Sequence, residues 1–372
     1  MPTADEVAAV LPGDSFEGDA RDIILHTRQG PLQRISESHP SYVPLQYPLL
    51  FPAGTSGWHP NISSQRPGMR SKNVSLSRYT QFRIHERVGE YSTILRGGRL
   101  FQRYLVDMWA AVDQQRLSFL RNNQGVLRAT LYSGLEDAVE ADEVDLNEIG
   151  QRVVLPSSYI GGPRHMQQQF QNSMAVARFF RKVDLFITIT ANPDWQEIRE
   201  ALLPDQTSYD RPDLVSRVFH MKVWSIIKEI TETGIFGKAV AHVYTIEFQK
   251  RGLPHMHLLI FLTGPDKLVT PNDINTAIRA NWPDPMTEPL LFETVKRCMV
   301  HGPCGTANLN APCMEKGKCT KNYPKPFSAI TSLDEHGYPR YFRPDDGRSY
   351  DVGGIPVDNR WIVPYNPYLS AR

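Results

Sequence analysis

A closely spaced pair of histidines is the part of this sequence best suited to chemistry. His255 and His257 are separated by one residue within the stretch 247–260, which reads as a strand, a tight turn and a second strand. On a strand, residues two apart point to the same face, so both imidazoles share one face while Met256 points to the other. Histidine pairs are more often surface or core residues, so the spacing alone makes a metal site only a hypothesis.

Two polar residues of the first strand are candidates to join the histidines. Glu247 and Gln249 share a face of that strand, and the turn at 250–254 folds it back beside His255 and His257. Two imidazoles with a carboxylate or an amide make a three-ligand, open-sided site of the kind used by catalytic metals. We therefore predict a divalent metal site, with Glu247 and Gln249 as rival third ligands.

A second cluster of metal-binding residue types follows downstream. The four cysteines of the chain, Cys298, Cys304, Cys313 and Cys319, fall in one short stretch that also contains His301. In a reducing compartment, this clustering favours metal binding over disulfides. His301, Cys304, Cys313 and Cys319 make a Cys3His set suited to structural Zn2+, and the metal would supply folding energy to a segment with little apolar content. Cys298 is a competing ligand for His301, and four unlinked thiols are the alternative.

Basic and aromatic residues surround this cluster. Between residues 296 and 325, six Lys or Arg side chains stand against a single acid, Glu315, with Tyr323 and Phe327 interleaved. Cations for phosphates and rings for bases are what single-stranded nucleic acid requires of a protein. A solvated lysine face explains the same strip equally well. The candidate DNA-binding residues, three of them outside the strip, are Lys318, Lys321, Tyr323, Lys325, Lys250, Arg251 and Arg164.

Composition and local sequence features argue against several classes of protein. The chain has 372 residues, of which 41% are hydrophobic, and a formal net charge of +1, so nucleic-acid binding must come from local patches. The N-terminus lacks the basic start and apolar run of a signal peptide, and no apolar stretch approaches the length of a membrane span. No phosphate-binding loop of the G-x-x-x-x-G-K-[ST] type is present. We expect an intracellular protein without a membrane partner.

The elements that must position the histidines follow a simple order. Between residues 184 and 282 the pattern predicts strand, helix, strand, strand and helix, with the two consecutive strands forming an antiparallel hairpin. A right-handed strand–helix–strand crossover then favours a split β-α-β core with helices on one face and the histidines on a central strand. The predicted fold class is α+β: a mainly antiparallel sheet, a helical N-terminal part and a small zinc-binding module.

Apolar residues that recur at three- and four-residue steps predict the helices. A helix start is indicated by Thr270 as N-cap, Pro271 at the first position and Asp273 three residues after the cap. Phe170 is expected on the inward face of its helix. The ranges predicted to be helical are 76–124, 167–183 and 212–233.

Four separated stretches resemble the N-terminal replication-initiator region of Helitron rolling-circle transposases, the part described as Helitron helicase-like. The similarity covers roughly residues 40–372, and the combination is far more specific than the histidine pair alone. The stretches are Phe186–Trp195, Glu247–His257, His301–Lys325 and Val357–Tyr368.

The resemblance implies an HUH-type single-strand endonuclease and strand transferase of rolling-circle replication. In that chemistry two histidines and a third polar ligand hold Mg2+ or Mn2+, and a tyrosine attacks the scissile phosphate to give a 5′-phosphotyrosine link. The implied metal ligands are His255 and His257, with Glu247 at the spacing of the third ligand of related viral initiators and Gln249 as its rival. The implied partners are single-stranded DNA and a helicase domain of the full-length protein, and the expected compartment is the nucleus.

The expected nucleophiles are where the sequence departs from the family. The family's tyrosines form a Tyr-x-x-x-Tyr-like pair on a helix downstream of the position of Tyr368, and the chain stops at Arg372. Tyr365 and Tyr368 are three residues apart with Pro367 between them, so they are poor stand-ins for a helical pair. We expect a fragment that binds metal and single-stranded DNA but does not form a covalent DNA adduct efficiently. The alternatives are a non-catalytic, zinc-stabilised DNA-binding module and an inactive transposon remnant.

Together these features predict the division of the chain into regions. An acidic run, 136–148, is expected to be a solvated loop or short helix. The predicted regions are an extended Pro-rich arm over 1–75, a helical flanking region over 76–150, an HUH nuclease-like core over 151–290, and a Cys3His zinc-binding and basic segment over 291–372.

Overall fold

The computed structural model describes residues 8–11, 21–26, 31–64, 72–124, 151–249, 252–302, 304–335 and 337–371. These residues form two compact units, the first drawn from the ranges 1–182, 187–222 and 243–257, and the second from 183–186, 223–242 and 258–372. The histidine pair belongs to the first unit and the cysteine cluster to the second. The acidic run 136–148, together with Lys250 and Arg251, lies outside the described residues.

Helices and strands are both present, which confirms the α+β class. Within the described residues no helix combines the length and the apolar character needed to cross a membrane. The helices are α1 (Tyr42–Gln46), α2 (Leu76–Arg83), α3 (Arg99–Asn122), α4 (Pro163–Phe180), α5 (Gln196–Ala201), α6 (Pro212–Lys228), α7 (Pro271–Ala277), α8 (Pro289–Cys298) and α9 (Pro367–Ser370).

Most of the strands form small antiparallel pairs: β1 with β6, β2 with β3, β4 with β5, β10 with β11, β12 with β13, and β14 with β15. Their bounds, with those of the three remaining strands, are β1 (Ala8–Leu11), β2 (Ile23–His26), β3 (Leu32–Ile35), β4 (Ser63–Ser64), β5 (Lys72–Asn73), β6 (Gln151–Val154), β7 (Leu185–Thr190), β8 (Ala239–Phe248), β9 (Pro254–Leu262), β10 (Met314–Glu315), β11 (Lys318–Cys319), β12 (Ser332–Leu333), β13 (Pro339–Arg340), β14 (Tyr350–Val352) and β15 (Ile355–Val357).

The largest sheet has the order β7–β9–β8, so the strand that carries the histidines is the central one, as predicted. Asp184 bonds to Ile260 at one end of β7 and Ala191 bonds to Pro254 at the other, so β7 runs antiparallel to β9. β8 and β9 form a tight hairpin and are also antiparallel. β7 and β8 therefore run parallel to each other on either side of β9, with α5 and α6 in the connection between them. This is a split β-α-β arrangement.

The core of the first unit gathers around α3. Phe101, Tyr104, Met108 and Val112 recur at three- and four-residue steps along this helix and are buried, as its periodicity predicts. Each such side chain removed from water contributes roughly 1.5–3 kcal/mol before the entropy of folding is subtracted. The packing of α3 therefore contributes to the stability of this unit.

One buried carboxylate on α3 ties the N-terminal segments to the helix. Asp107 accepts hydrogen bonds from Gln46, Tyr47 and Arg103 and forms an ion pair with Arg21. A buried charge is tolerated only when it is paired and hydrogen-bonded. These partners therefore fix the chain around residues 21 and 46–47 against the helix.

A buried cation serves the same purpose in the second unit. The Nη1 atom of Arg343 donates to the backbone carbonyls of Ala280, Asn359 and Ile362 at 3.1, 2.7 and 2.7 Å. These segments adjoin a small apolar core that includes Trp282. The arginine thus holds three separate stretches of backbone together where little regular structure is available.

The range predicted as one helix over 76–124 is instead two helices, α2 and α3, separated by residues 84–98. Gly97 allows the close approach that the break requires, because a Cβ atom there would lie 2.7 Å from Leu50 Cδ2. Gly98 adopts a positive φ of 51°, which glycine reaches at little cost. The apolar periodicity on both sides concealed this break.

The other predicted helices are present, with one error of burial. Residues 212–233 are helical, as α6 followed by a short π-helical turn, and Thr270 and Asp273 make both hydrogen bonds of a capping box. The helix predicted over 167–183 is α4, which begins at Pro163. The prediction that Phe170 faces inward is wrong, since its side chain is 60% exposed and α4 has no buried residue among those described.

Candidate metal centres

The central strand β9 presents its two histidines on one face of the sheet. His255 and His257 lie with ring centroids 4.6 Å apart and ring planes 77° to each other. Residues of the opposite parity, Met256, Leu258 and Ile260, are almost completely buried. The alternation of a strand thus separates an apolar face from a polar face that carries the imidazoles.

Glu247, on the neighbouring strand β8, reaches the histidines. Its Oε1 atom lies 3.3 Å from His257 Nε2. One ligand atom from each of Glu247, His255 and His257 can be chosen so that all lie within 4.8 Å of one another. Because metal–ligand bonds to nitrogen and carboxylate oxygen are about 2.0–2.2 Å long, one ion can bridge such atoms. The three residues fit a divalent cation held on one side and open on the other.

The third strand of the sheet supports the imidazoles from behind. Thr190 Oγ1 lies 2.7 Å from His255 Nδ1, and Thr188 Oγ1 lies 3.2 Å from His257 Nδ1. With the proton on Nδ1, each ring donates to a threonine hydroxyl and keeps the lone pair of Nε2 for a metal. The contacts of these threonines with the imidazoles were not predicted, although Thr188 and Thr190 are spaced two apart on a predicted strand, like the histidines.

The two rival third ligands lie on different sides of the imidazoles. The side-chain amide nitrogen of Gln249 is 3.2 Å from His255 Nδ1, the atom that Thr190 also contacts. Glu247 instead contacts an Nε2 atom. The Nε2 side is the one the threonines leave free for a metal, so the geometry favours Glu247 over Gln249.

Burial favours the neutral form of one of the imidazoles. Desolvation lowers the pKa of His255, the neighbouring His257 lowers it further, and Glu247 acts in the opposite direction. A neutral imidazole is the form that binds metals. The electrostatics of the site therefore agree with its geometry.

The second cluster lies in a segment with little regular structure. His301, Cys304, Cys313 and Cys319 offer ligand atoms that all lie within 4.8 Å of one another. The short β10–β11 hairpin brings Cys319 opposite Met314, next to Cys313. Cys298 is exposed and is not part of this group of described residues. The geometry therefore favours the Cys3His set without Cys298.

Among the three thiols of the cluster, that of Cys304 is unfavourable to ionise without a cation. Burial raises the pKa of Cys304, and the adjacent Cys319 and Cys313 raise it further. Burial opposes ionisation of Cys319 as well, but backbone N–H groups of Tyr323 and Lys321 lower its pKa. Thiolates are the form that binds zinc, so a bound cation would overcome the cost for Cys304. This donor set fits a closed, structural Zn2+ site.

Aromatic rings hold the histidine of this cluster. The His301 ring stacks on Tyr323, with centroids 4.1 Å apart and planes 9° from parallel, and Trp361 lies near-parallel at 6.5 Å. The backbone N–H of His301 also donates to the carbonyl of Trp361. Trp361 lies in one of the stretches that carry the family resemblance, but its contact with the cluster was not predicted.

The predicted DNA-binding residues have varied surroundings. Tyr323 already stacks on His301, and Lys325 Nζ lies 5.1 Å from the centre of the Tyr323 ring. Lys318 and Lys321 are exposed, and Arg164 lies in the first turn of α4. Their role in DNA binding stays a prediction.

The two candidate tyrosines differ in accessibility. Tyr365 is buried and its hydroxyl donates to the backbone carbonyl of Asn281, and burial raises its pKa to about 12. Both features disfavour nucleophilic attack, because the reactive species is the phenolate. Tyr368, on α9, is 40% exposed.

Comparison with known proteins adds one finding. Residues 79–260 match a family model described as the Helitron helicase-like domain at the N-terminus. The match contains β7, β8 and all of β9 except its last two residues, and so includes His255, His257 and Glu247. No curated protein matches the chain.

Proposed function

We propose, on the premise that residues 79–260 form a Helitron helicase-like N-terminal domain, that this chain carries an HUH-type site for nicking and transferring single-stranded DNA. The family makes the chain a Helitron transposon-related protein with DNA-related partners. The metal dependence, the preference for single strands and the strand-transfer chemistry are the proposed part.

The observation that carries the proposal is the convergence of three strands on one pair of imidazoles. β9 supplies His255 and His257, β8 supplies Glu247, and β7 supplies the threonines behind the rings. Ligands held by adjacent strands of one sheet keep their geometry better than ligands on loops. A histidine pair that was merely exposed at the surface would not need side chains from two further strands in contact with its imidazoles.

The residues of the chain have distinct tasks in this proposal. Thr188 and Thr190 fix the orientation of the imidazoles, and His255, His257 and Glu247 would hold a divalent cation. When bound, Mg2+ or Mn2+ supplies a Lewis acid that polarises the scissile phosphate. The open side of the site leaves access for a DNA strand. A tyrosine of the family's type would attack phosphorus through its phenolic oxygen, forming a 5′-phosphotyrosine link while the P–O bond to the 3′ oxygen breaks. The 3′ oxygen would leave as a hydroxyl group, and the phenolic proton would pass to water.

A second candidate function is a non-catalytic module that binds single-stranded DNA and is stabilised by Zn2+. The observation in its favour is that Tyr365 is buried with its hydroxyl engaged. The Cys3His cluster with the lysines around it would then be the functional part, and the histidine site would serve only to bind metal.

The first test is binding of Mn2+ to the zinc-loaded chain, measured by electron paramagnetic resonance. We expect wild type to bind one Mn2+ tightly and a His255→Ala, His257→Ala variant to lose it. His165→Ala is the matched control in the same unit, since His165 is hydrogen-bonded to the backbone carbonyl of Ser157 and lies outside the histidine site, so binding should be unchanged. Equal Mn2+ binding by wild type and the double variant would contradict the proposal.

The second test separates the two candidate functions by cleavage of a single-stranded oligonucleotide in Mn2+. Cleavage by wild type that disappears in the histidine variant supports the endonuclease. DNA binding without cleavage by either protein supports the non-catalytic module. A covalent adduct, detected by its slower migration on a denaturing gel, identifies the nucleophile when Tyr365→Phe and Tyr368→Phe variants are compared.

A further inference from the structure

The segment between α2 and α3, residues 84–98, is long and has no regular structure, but it is firmly held. Arg217 donates to the backbone carbonyl of Ile84 at 3.0 Å, and Gln206 donates to that of Leu95 at 2.9 Å. Thr93 donates to the backbone carbonyl of Leu50 at 2.6 Å. Loops of this length without secondary structure are usually functional or disordered, and these bonds at both ends fix this one in place.

A fully buried arginine lies beneath the loop. Arg211 forms ion pairs with Glu86, on the loop, and with Asp213, at 3.0 Å each. It also lines a cavity of about 380 Å3 between the loop and the segment that carries Arg211. Its Nη1 atom has no hydrogen-bond partner among the described residues. An unsatisfied buried donor is costly, so this atom needs a water molecule or a ligand group in the cavity as its partner.

Cations and aromatic rings alternate over the loop. The Arg96 guanidinium lies 4.4 Å from the centre of the Tyr91 ring, and that of Arg87 lies 3.8 Å from the centre of the Phe82 ring. Both rings are largely exposed, Tyr91 by 71% and Phe82 by 61%. An arginine on one face fixes each ring while leaving much of it open to a further stacking partner.

The positive charges of the loop are only partly neutralised. Arg87 pairs with Glu90, and Arg211 pairs with Glu86. Arg83 and Arg96 form no ion pair with any described carboxylate, and each contacts an aromatic ring instead. Arg96 lies over the exposed Tyr91 ring, whereas Arg83 lies over the buried Phe51 ring and is next in sequence to the exposed Phe82. Uncompensated cations close to exposed rings suit a ligand with both phosphates and flat bases.

We propose that the loop 84–98, with Phe82 and Arg83 before it, is a binding surface for single-stranded DNA. Arg83 and Arg96 hold backbone phosphates, and Tyr91 and Phe82 stack with bases. The inference rests on the proposed function, because it takes single-stranded DNA as the substrate, but it concerns a surface built independently of the histidine site. It would hold a stretch of the strand on which the site acts.

The stacking part is tested by fluorescence anisotropy with a fluorescein-labelled thymidine homopolymer, using the full zinc-loaded chain without Mn2+ or Mg2+. We expect Tyr91→Ala to weaken binding by about 5- to 100-fold, the range for losing one base–aromatic stack. Tyr91→Phe should bind like wild type because it keeps the ring. Tyr338→Ala is the matched control, since Tyr338 is equally exposed at 70% but belongs to the second unit, outside the loop 84–98.

Two results would overturn the stacking part. One is wild-type affinity in Tyr91→Ala. The other is an equal loss of affinity for duplex DNA, whose bases are not available to stack. Tyr91 is exposed, so the variant should fold, and unchanged thermal unfolding checks this.

The proposed phosphate contacts of Arg83 and Arg96 are tested by measuring how the affinity for the same oligonucleotide depends on salt concentration. Replacing Arg83 and Arg96 by Ala should reduce the slope of log affinity against log salt by about 1.4, the value for two lost phosphate contacts on a single strand. The control is the Arg178→Ala, Arg199→Ala double variant, which removes the same charge from exposed positions of the first unit that form no ion pair with a described carboxylate. Equal slopes in the two double variants would overturn the proposal.

These outcomes are distinct from those that test the histidine site. If wild type binds single-stranded DNA and the loop variants bind equally well, the loop inference fails while the nicking proposal stands. If the loop variants lose binding but the histidine variant still binds Mn2+ like wild type, the nicking proposal fails while the loop inference stands. Absence of DNA binding by wild type would overturn the loop inference outright.

Discussion

The two candidate metal-ligand clusters of this chain are built in opposite ways. The histidine cluster sits on adjacent strands of a sheet, and its rings are supported by hydroxyls of a third strand. Among the described residues of the segment 301–319, regular structure is limited to the two-residue strands β10 and β11, which adjoin the cysteine cluster. One set of ligands is held by a hydrogen-bonded sheet with a buried apolar face, whereas the other set has little regular structure to hold it.

This difference separates two uses of a metal ion. Glu247 and the imidazoles offer three ligands on one side, so a bound cation keeps open positions for a phosphate. His301 and the three cysteines offer four ligands, which close the coordination sphere of zinc. The comparison therefore predicts that losing metal costs activity at the first cluster and folding at the second.

The largest expected effect comes from removing a ligand of the second cluster. Cys304→Ser should abolish stoichiometric zinc binding, because the buried thiolate is replaced by a weak ligand. Structural zinc contributes on the order of 10 kcal/mol to the folding of small zinc modules, so the segment should unfold locally. Zinc content by mass spectrometry and the rate of tryptic cleavage at Lys316, Lys318 and Lys321 measure the two consequences.

Cys298→Ser is the matched control for this prediction. Cys298 is exposed and outside the cluster, so zinc content and proteolysis should match those of wild type. Loss of zinc in Cys298→Ser would instead favour the competing ligand set. Unchanged protease resistance in Cys304→Ser would break the comparison, because the segment would then fold without its metal.

At the first cluster, the third ligand is tested by replacing Glu247 with Gln, which has the same shape but no charge. Hard divalent cations prefer carboxylate oxygen, so Mn2+ affinity should fall by at least about 10-fold. Gln249→Ala should have a smaller effect, since its amide contacts the Nδ1 side of His255. Titration with Mn2+ measures both affinities, and a larger loss in Gln249→Ala would reverse the assignment.

A smaller effect on Mn2+ affinity is expected from the threonines that contact the imidazoles. Thr190→Val keeps the size of the side chain but removes the hydroxyl that contacts His255 Nδ1 at 2.7 Å. Loss of such an orienting partner typically lowers metal affinity by about 10-fold or more. Thr190→Ser should retain affinity, and Thr188→Val should cost less because its contact is longer at 3.2 Å. Circular dichroism should be unchanged throughout, since the scaffold does not depend on the metal.

Much of the histidine site could be predicted from the sequence because strand geometry is periodic. The two-residue spacing of His255 and His257 determines that they share a face, and the intervening turn indicates which strand lies beside them. The same reasoning applied to Thr188 and Thr190 would have found that they share a face, and the predicted split β-α-β core already placed the histidine strand centrally. The register that brings each threonine to an imidazole was not predicted, because register between distant strands depends on tertiary contacts that one sequence does not reveal.

The errors have a similar origin. The spacing around Phe170 indicates an apolar helix face, but whether another element covers that face is a property of packing. The stacking of Trp361 on His301 joins residues far apart in the chain. By contrast, the capping box at Thr270 is local, since its residues lie within one helical turn, and it was predicted correctly.

The smallest expected effect concerns the apolar core beside the second cluster. Tyr365→Phe removes the hydrogen bond to the Asn281 carbonyl and should lower the free energy of unfolding by about 1 kcal/mol at neutral pH. Urea unfolding of zinc-loaded protein, followed by tryptophan fluorescence, measures the difference. A similar difference with and without zinc would mean that this core and the zinc site stabilise the second unit independently.

The difference in stability between wild type and Tyr365→Phe should also depend on pH. Burial raises the pKa of Tyr365 to about 12, whereas an unfolded tyrosine ionises near its ordinary value of 10. Between these values the unfolded state loses its proton first, so the stability contributed by Tyr365 is complete below pH 10 and falls as the pH rises. The advantage of wild type over Tyr365→Phe should therefore shrink as the pH rises from about 10 to about 12. If the difference in unfolding free energy between wild type and Tyr365→Phe stayed constant over this pH range, the Tyr365 hydroxyl would be open to water. Tyr365 would then again be a candidate nucleophile.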